Sequence, residues 1–122
     1  MLDSNAIINL LNGKLDLLTY LDNFPDCEIY ISPIVTIEVL AKSDIGEKEE
    51  AEARALLDSF KLVDINKDIC EIAIHIRRAK ELRLPYAIIA ASAIAIKAIV
   101  LSDDPHLRDY KHIGYSAKAI NI

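Results

Sequence analysis

Four acidic side chains stand where they could do chemistry. Asp3 closes a short apolar start, Leu2 to Asp3, that reads as the end of a strand. Asp103 and Asp104 follow the apolar run Ala98 to Ser102. Glu38 lies on a helix just after the β-rich segment Glu28 to Ser32. In an open parallel sheet, functional groups gather at the carboxyl ends of the strands. These acids are far apart in sequence, and such a fold draws them toward one edge. Clustered carboxylates do not all stay ionised without compensation: either pKa values rise or a cation binds. An oxygen-only set suits Mg²⁺ or Mn²⁺ rather than zinc. Such a cation can lower the pKa of a bound water and contact a phosphate oxygen. A plainer reading exists for each acid. Asp3 could support a helix N-terminus, Glu38 could be a surface acid, and Asp103 and Asp104 could be turn residues before Pro105.

The elements that must position these acids alternate in type. After the first strand, Ser4 or Asn5 caps a helix over Ala6 to Leu11, and Gly13 stops it. A second short helix is expected over Leu15 to Asn23, before Pro25. The strand Glu28 to Ser32 leads into a helix over Pro33 to Lys42, with Pro at its first position. Glu47 to Phe60 is amphipathic, with Ala53, Leu56, Leu57 and Phe60 on one stripe. Leu62 to Ile65 reads as a strand. Asn66 caps the next helix, whose stripe is Ile69, Ile72, Ala73, Ile76 and Ala79. Pro85 starts a helix over Tyr86 to Lys97 that is apolar nearly all round and belongs inside. Ala98 to Ser102 and Ala119 to Ile122 read as strands. This order predicts a single α/β domain over residues 1–122, with a mostly parallel sheet covered on both faces.

Composition narrows the classes. The 122 residues are 52% hydrophobic and 27% charged, enough to close a core and too apolar for disorder. Three Gly and four Pro leave little room for the turns of an all-β sandwich. The net charge of −5 argues against holding nucleic acid by bulk positive charge. Cys27 and Cys70 form no metal-binding spacing and are expected as small buried side chains. No basic-then-apolar leader opens the chain, and the apolar run Tyr86 to Leu101 is shorter than the roughly 20 residues of a membrane helix. A soluble cytoplasmic protein with no membrane association is the expectation.

The motifs add a resemblance. Leu2-Asp3-Ser4-Asn5-Ala6-Ile7-Ile8 resembles the first motif of PIN-domain proteins. Ile34 to Leu40, with Glu38, resembles the second. Leu84 to Ala93 resembles the third, and Val100 to Leu107 the fourth. The likeness runs in order along the whole chain, at the length of a VapC-type toxin. It implies a PIN-like three-layer α/β/α sandwich with a mostly parallel central sheet. It also implies an endoribonuclease dependent on Mg²⁺ or Mn²⁺, acting on a structured RNA such as tRNA. A homodimer and a cognate antitoxin belong to the same picture. Carried over by position, Asp3, Glu38 and Asp104 match the catalytic, metal-holding acids. Ser102 matches the hydroxyl near the site, with Asp103 beside it. Ser4 and Asn5 match positions that orient the first Asp.

One position departs. Tyr86 stands where the family usually has Asp, directly after Leu84-Pro85. A phenol has a pKa near ~10 and stays neutral at pH 7, so it is a poor ligand for a hard cation. Weaker metal binding and reduced or absent cleavage are expected. A binding module that engages an antitoxin or RNA without cutting is therefore the rival to the nuclease. A receiver-like or flavodoxin-like domain is a third reading, but no glycine-rich phosphate loop supports it. His75, Arg77, Arg78, Lys80 and Arg83 form the most basic stretch, read as a solvated helix face or as RNA phosphate contacts. His106 reads as a loop residue. Leu-rich segments over Ile7 to Leu18 and Val39 to Leu40 fit, on the resemblance, a groove for an antitoxin helix.

Overall fold

A computed structural model of the chain describes residues 1–13, 19, 22, 25–79, 82–102, 104, 107, 111–112 and 115–118. Helix α1 spans Ser4–Leu11, strand β1 Tyr30–Ile31, α2 Pro33–Leu40 and α3 Glu47–Asp58. Then come β2 Lys61–Leu62, α4 Lys67–Arg78, α5 Leu84–Ile96 and β3 Ile99–Leu101. The hairpin β4 Lys111–His112 and β5 Tyr115–Lys118 follows. The expected helix over 15–23 and the expected strand over 119–122 lie outside the described residues, apart from isolated positions.

The sheet has two parts joined by the start of the chain. β1 pairs in parallel with β2, Tyr30 opposite Lys61. β3 pairs in parallel with β5, Ile99 opposite Ser116, and β4 closes antiparallel on β5. Met1 and Leu2 lie between the parts. The Leu2 N–H donates to the Tyr30 carbonyl at 3.0 Å, and the Leu101 N–H donates to the Met1 carbonyl at 2.9 Å. Leu2 forms a parallel bridge with Leu101. The order is therefore β2, β1, residues 1–2, β3, β5, β4. Among the described strand pairings the last alone is antiparallel, and the architecture is the expected three-layer α/β/α sandwich with a mostly parallel sheet.

Local chemistry explains the helix bounds. Asn66 caps α4, its side chain accepting from the Ile69 N–H at 2.9 Å. Ser32 caps α2 and Pro33 opens it. The cap of α1 is Asp3, not Ser4 or Asn5 as the sequence suggested, and both of those residues differ from it in burial and contacts. α5 ends on Lys97, whose φ of 56° and ψ of 39° place it in the left-handed region that favours glycine. That turn drops the chain directly into β3.

The core follows the apolar stripes. Ile69, Ala73 and Ile76 of α4 are buried where α4 packs on α5. α5 buries Ala87, Ile89, Ala90, Ala91, Ser92 and Ala93, as an all-apolar helix must. The buried Ser92 hydroxyl is satisfied by donating to the Ile88 carbonyl at 2.7 Å. α1, α2 and α3 contact one another and form a second helical group. The cysteines contradict the sequence expectation: Cys27 and Cys70 are both exposed. Cys70 sits about 100° around α4 from Ile69, off the buried stripe.

Candidate functional site

The parallel pairing of Leu2 with Leu101 brings two strand ends side by side. Asp3 follows one and Ser102 the other, although 99 residues separate them. Both are buried, Asp3 at 2% exposure and Ser102 at 0%. The Ser102 hydroxyl donates to Asp3 Oδ2. Asp3 Oδ1 accepts from the Ala6 N–H at 2.9 Å. The carboxylate is thus both the cap of α1 and the acceptor for a buried hydroxyl. Two donors on one carboxylate fix its plane.

Ser102 connects onward. Its Oγ accepts from the Asp104 N–H at 3.0 Å, which folds the chain back after β3. The half-buried Asp104 carboxylate accepts at Oδ2 from the Tyr86 hydroxyl, 2.6 Å away. Tyr86 lies in the first turn of α5, and its ring packs against the core. The Asp104 hydrogen bond is the main cause that pushes the Tyr86 pKa up to about 12, with burial and the Asp104 charge adding to it. Arg83, one turn away at the cap of α5, pulls the other way, and Glu38 adds a small push upward.

Glu38 completes the acidic edge. It is exposed on α2, and the Ser4 hydroxyl donates to its Oε1 at 2.6 Å. Ser4 is the residue after Asp3, so this bond ties the α2 acid to the start of α1. Ser4 therefore holds Glu38, whereas Ser102 and the Ala6 N–H hold Asp3. Asn5 is exposed on α1. Asp103 and His106 lie outside the described residues. The structure brings Asp3, Ser102, Asp104 and Tyr86 into one hydrogen-bonded chain, and it places Glu38 at its margin through Ser4 and its influence on Tyr86. Arg77 of the basic stretch donates to the Leu82 carbonyl at 3.0 Å, a structural contact within the α4–α5 connection. Ser32, buried at the end of β1, was missed as a strand-end hydroxyl, and its position before Pro33 was the available signal.

The donor types suit a hard divalent cation, since every acid offers oxygen. The arrangement leaves part of that set engaged by hydroxyls. Among the described residues no group of three or more His, Cys, Asp or Glu side chains stands ready to hold a metal ion. Asp104 Oδ2 faces a phenolic hydrogen instead. A neutral hydroxyl stands at the position where the resemblance expects a further acid.

Comparison with known proteins gives the family. The PIN domain family matches residues 1–113. The chain belongs to the PIN domain family. A toxin–antitoxin complex from Klebsiella pneumoniae is similar in structure, with 28% identity, a TM-score of 0.77, and coverage of 93% of this chain and 92% of that one. VapBC2 from Rickettsia felis, bound to a DNA fragment from the promoter, matches at a TM-score of 0.85 and 18% identity, covering 99% and 98% of the two chains. A DNA-bound VapBC from Salmonella typhimurium matches at 0.80 and 21%, covering 98% and 96%. At those identities the last two speak for the PIN fold alone. No curated protein matches the chain in sequence. No helix among the described residues is long and apolar enough to cross a membrane.

Proposed function

We propose that this PIN domain is a VapC-like toxin, an endoribonuclease of a type II toxin–antitoxin pair, attenuated by Tyr86. The observation that carries the reading is the link from Asp3 through Ser102 to Asp104 at adjacent strand ends. The reaction class is hydrolysis of an RNA phosphodiester, with tRNA as a structured substrate and Mg²⁺ or Mn²⁺ as the cation the donor chemistry suits. In this chain Asp3 and Asp104 supply fixed negative charge, Ser102 positions both, and exposed Glu38 supplies a third acid at the rim. The partner is an antitoxin, as in the Klebsiella complex. The exposed Ile8 of α1 and Ile37 of α2 offer apolar contacts for it. A cytoplasmic homodimer completes the proposal.

The Tyr86–Asp104 bond favours a second reading, a PIN module that binds its partner without cutting. Cleavage of mixed tRNA with Mn²⁺ separates the two. The given chain is expected to cut about 10²-fold more slowly than Tyr86→Asp, the scale for losing one electrostatic stabiliser. Silence from both proteins refutes the nuclease. Equal, fast cleavage by both refutes the attenuation.

A further inference from the structure

We infer that the Tyr86 hydroxyl and a divalent cation compete for Oδ2 of the Asp104 carboxylate. This rests on the proposed reading of the acidic site and adds a competition to it. Tyr86 is then an internal inhibitor of cation binding, which is more than an absent ligand.

The geometry carries the argument. The phenolic oxygen lies 2.6 Å from Asp104 Oδ2, so its proton occupies the lone-pair direction between them. Mg²⁺ needs carboxylate oxygens at about 2.0–2.1 Å in near-octahedral directions. A cation on that oxygen meets the positive end of the O–H dipole. Both partners are anchored at one end. The Tyr86 ring packs against the core, and the Asp104 backbone is tied to Ser102 Oγ at 3.0 Å. The neighbouring acids are engaged by donors as well. Asp3 already accepts from Ser102 and from the Ala6 N–H, and Glu38 accepts from Ser4. The hydroxyls of Tyr86, Ser102 and Ser4 together with one backbone N–H do for these carboxylates what a cation does elsewhere.

Two substitutions separate competition from simple ligand loss. Tyr86→Phe removes the hydroxyl, keeps the ring and adds no charge. If Tyr86 were only a missing ligand, Phe and Tyr would bind cation alike. Under competition, Tyr86→Phe binds Mn²⁺ about tenfold more tightly than the given chain, because no charge-assisted hydrogen bond must break first. Tyr86→Asp restores the acid and binds more tightly than either. The experiment is calorimetric titration of Mn²⁺ into each full-length chain, with melting temperatures measured with and without the ion. Tyr86→Leu replaces the Phe variant if that protein does not fold. Mn²⁺ should raise the melting temperature most for Tyr86→Asp, less for Tyr86→Phe and least for the given chain. If Tyr86→Asp binds but Tyr86→Phe matches the given chain, or neither of those two binds, the competition is overturned and the acidic site stands. If Tyr86→Asp also fails to bind, the acidic site reading falls, and the competition falls with it.

Discussion

Replacing Asp3 tests the site through stability, without any assay of activity. Two bonds are at stake: the cap from the Ala6 N–H to Oδ1, and the donation from Ser102 to Oδ2. Asp3→Asn keeps an oxygen for the cap but offers Ser102 an amide donor in place of an acceptor. The bond that Ser102 donates to a charged oxygen inside the protein, worth about 1.5–3 kcal/mol, gives way to a weaker one that its Oγ accepts from the amide. Removing one charge also relieves repulsion with Asp104 and Glu38, which offsets part of that cost. Asp3→Ala loses the cap as well, a further ~1 kcal/mol. The relief of repulsion is the same in both variants, so it cancels in their difference. Asp3→Ala should therefore be less stable than Asp3→Asn by at least about 1 kcal/mol, the worth of the cap. Urea unfolding followed by circular dichroism measures both, with unchanged slopes as the sign that only stability moved. Ser4→Ala serves as the control, since its bond to exposed Glu38 should matter by less than about 0.5 kcal/mol. Equal stability of the two Asp3 variants would refute the assignment of Asp3 as the cap.

Two further outcomes follow from the same geometry. Tyr86 is held protonated by Asp104, with its pKa pushed up to about 12 against an ordinary value of 10.0. Between those values the unfolded chain has lost the proton and the folded chain keeps it, so this contribution to stability is full below pH 10.0 and disappears toward pH 12. The absorbance difference at alkaline pH between the given chain and Tyr86→Phe should titrate near the higher value; titration at the ordinary value would contradict the Asp104 bond. Lys97→Gly should raise stability by ~0.5–1 kcal/mol, because the left-handed turn after α5 strains a side chain. Thermal melting checks it, and a loss of stability would show that the Lys97 stem contributes more than its backbone costs.

Helices were legible because their signals are local. Asn66 caps α4 through a bond to Ile69, three residues on, and the spacing of Ile69, Ala73 and Ile76 states which face is buried. Strands were legible in type and too long in extent. β1, β2 and β3 hold two or three residues each, since the ladder is set by partners far along the chain. The β4–β5 hairpin went unread: β4 is only the polar pair Lys111–His112, and the alternation Tyr115, Ser116, Ala117, Lys118 of β5 is short. At the site, the residue types of Asp3, Glu38, Ser102 and Asp104 could be read, and so could the oddity of Tyr86. Their hydrogen bonds could not. Nothing local in Ser4 says that it reaches across 34 residues to Glu38, and nothing local in Ser102 says that it donates to Asp3. The exposure of Cys70 was available from helical phase and was overridden by its residue type.

The seam at Leu2 sets an order of assembly. The opening residues are synthesised long before their partner Leu101. Until then the two halves of the sheet have no rung between them, and Asp3 has no Ser102. Such distant pairing makes for slow folding, because the loop must close before any contact repays the lost chain freedom. A chain ending before β3 therefore carries α1 to α5 without Ser102 and Asp104, so the hydrogen-bonded chain at the strand ends forms only once β3 has been made.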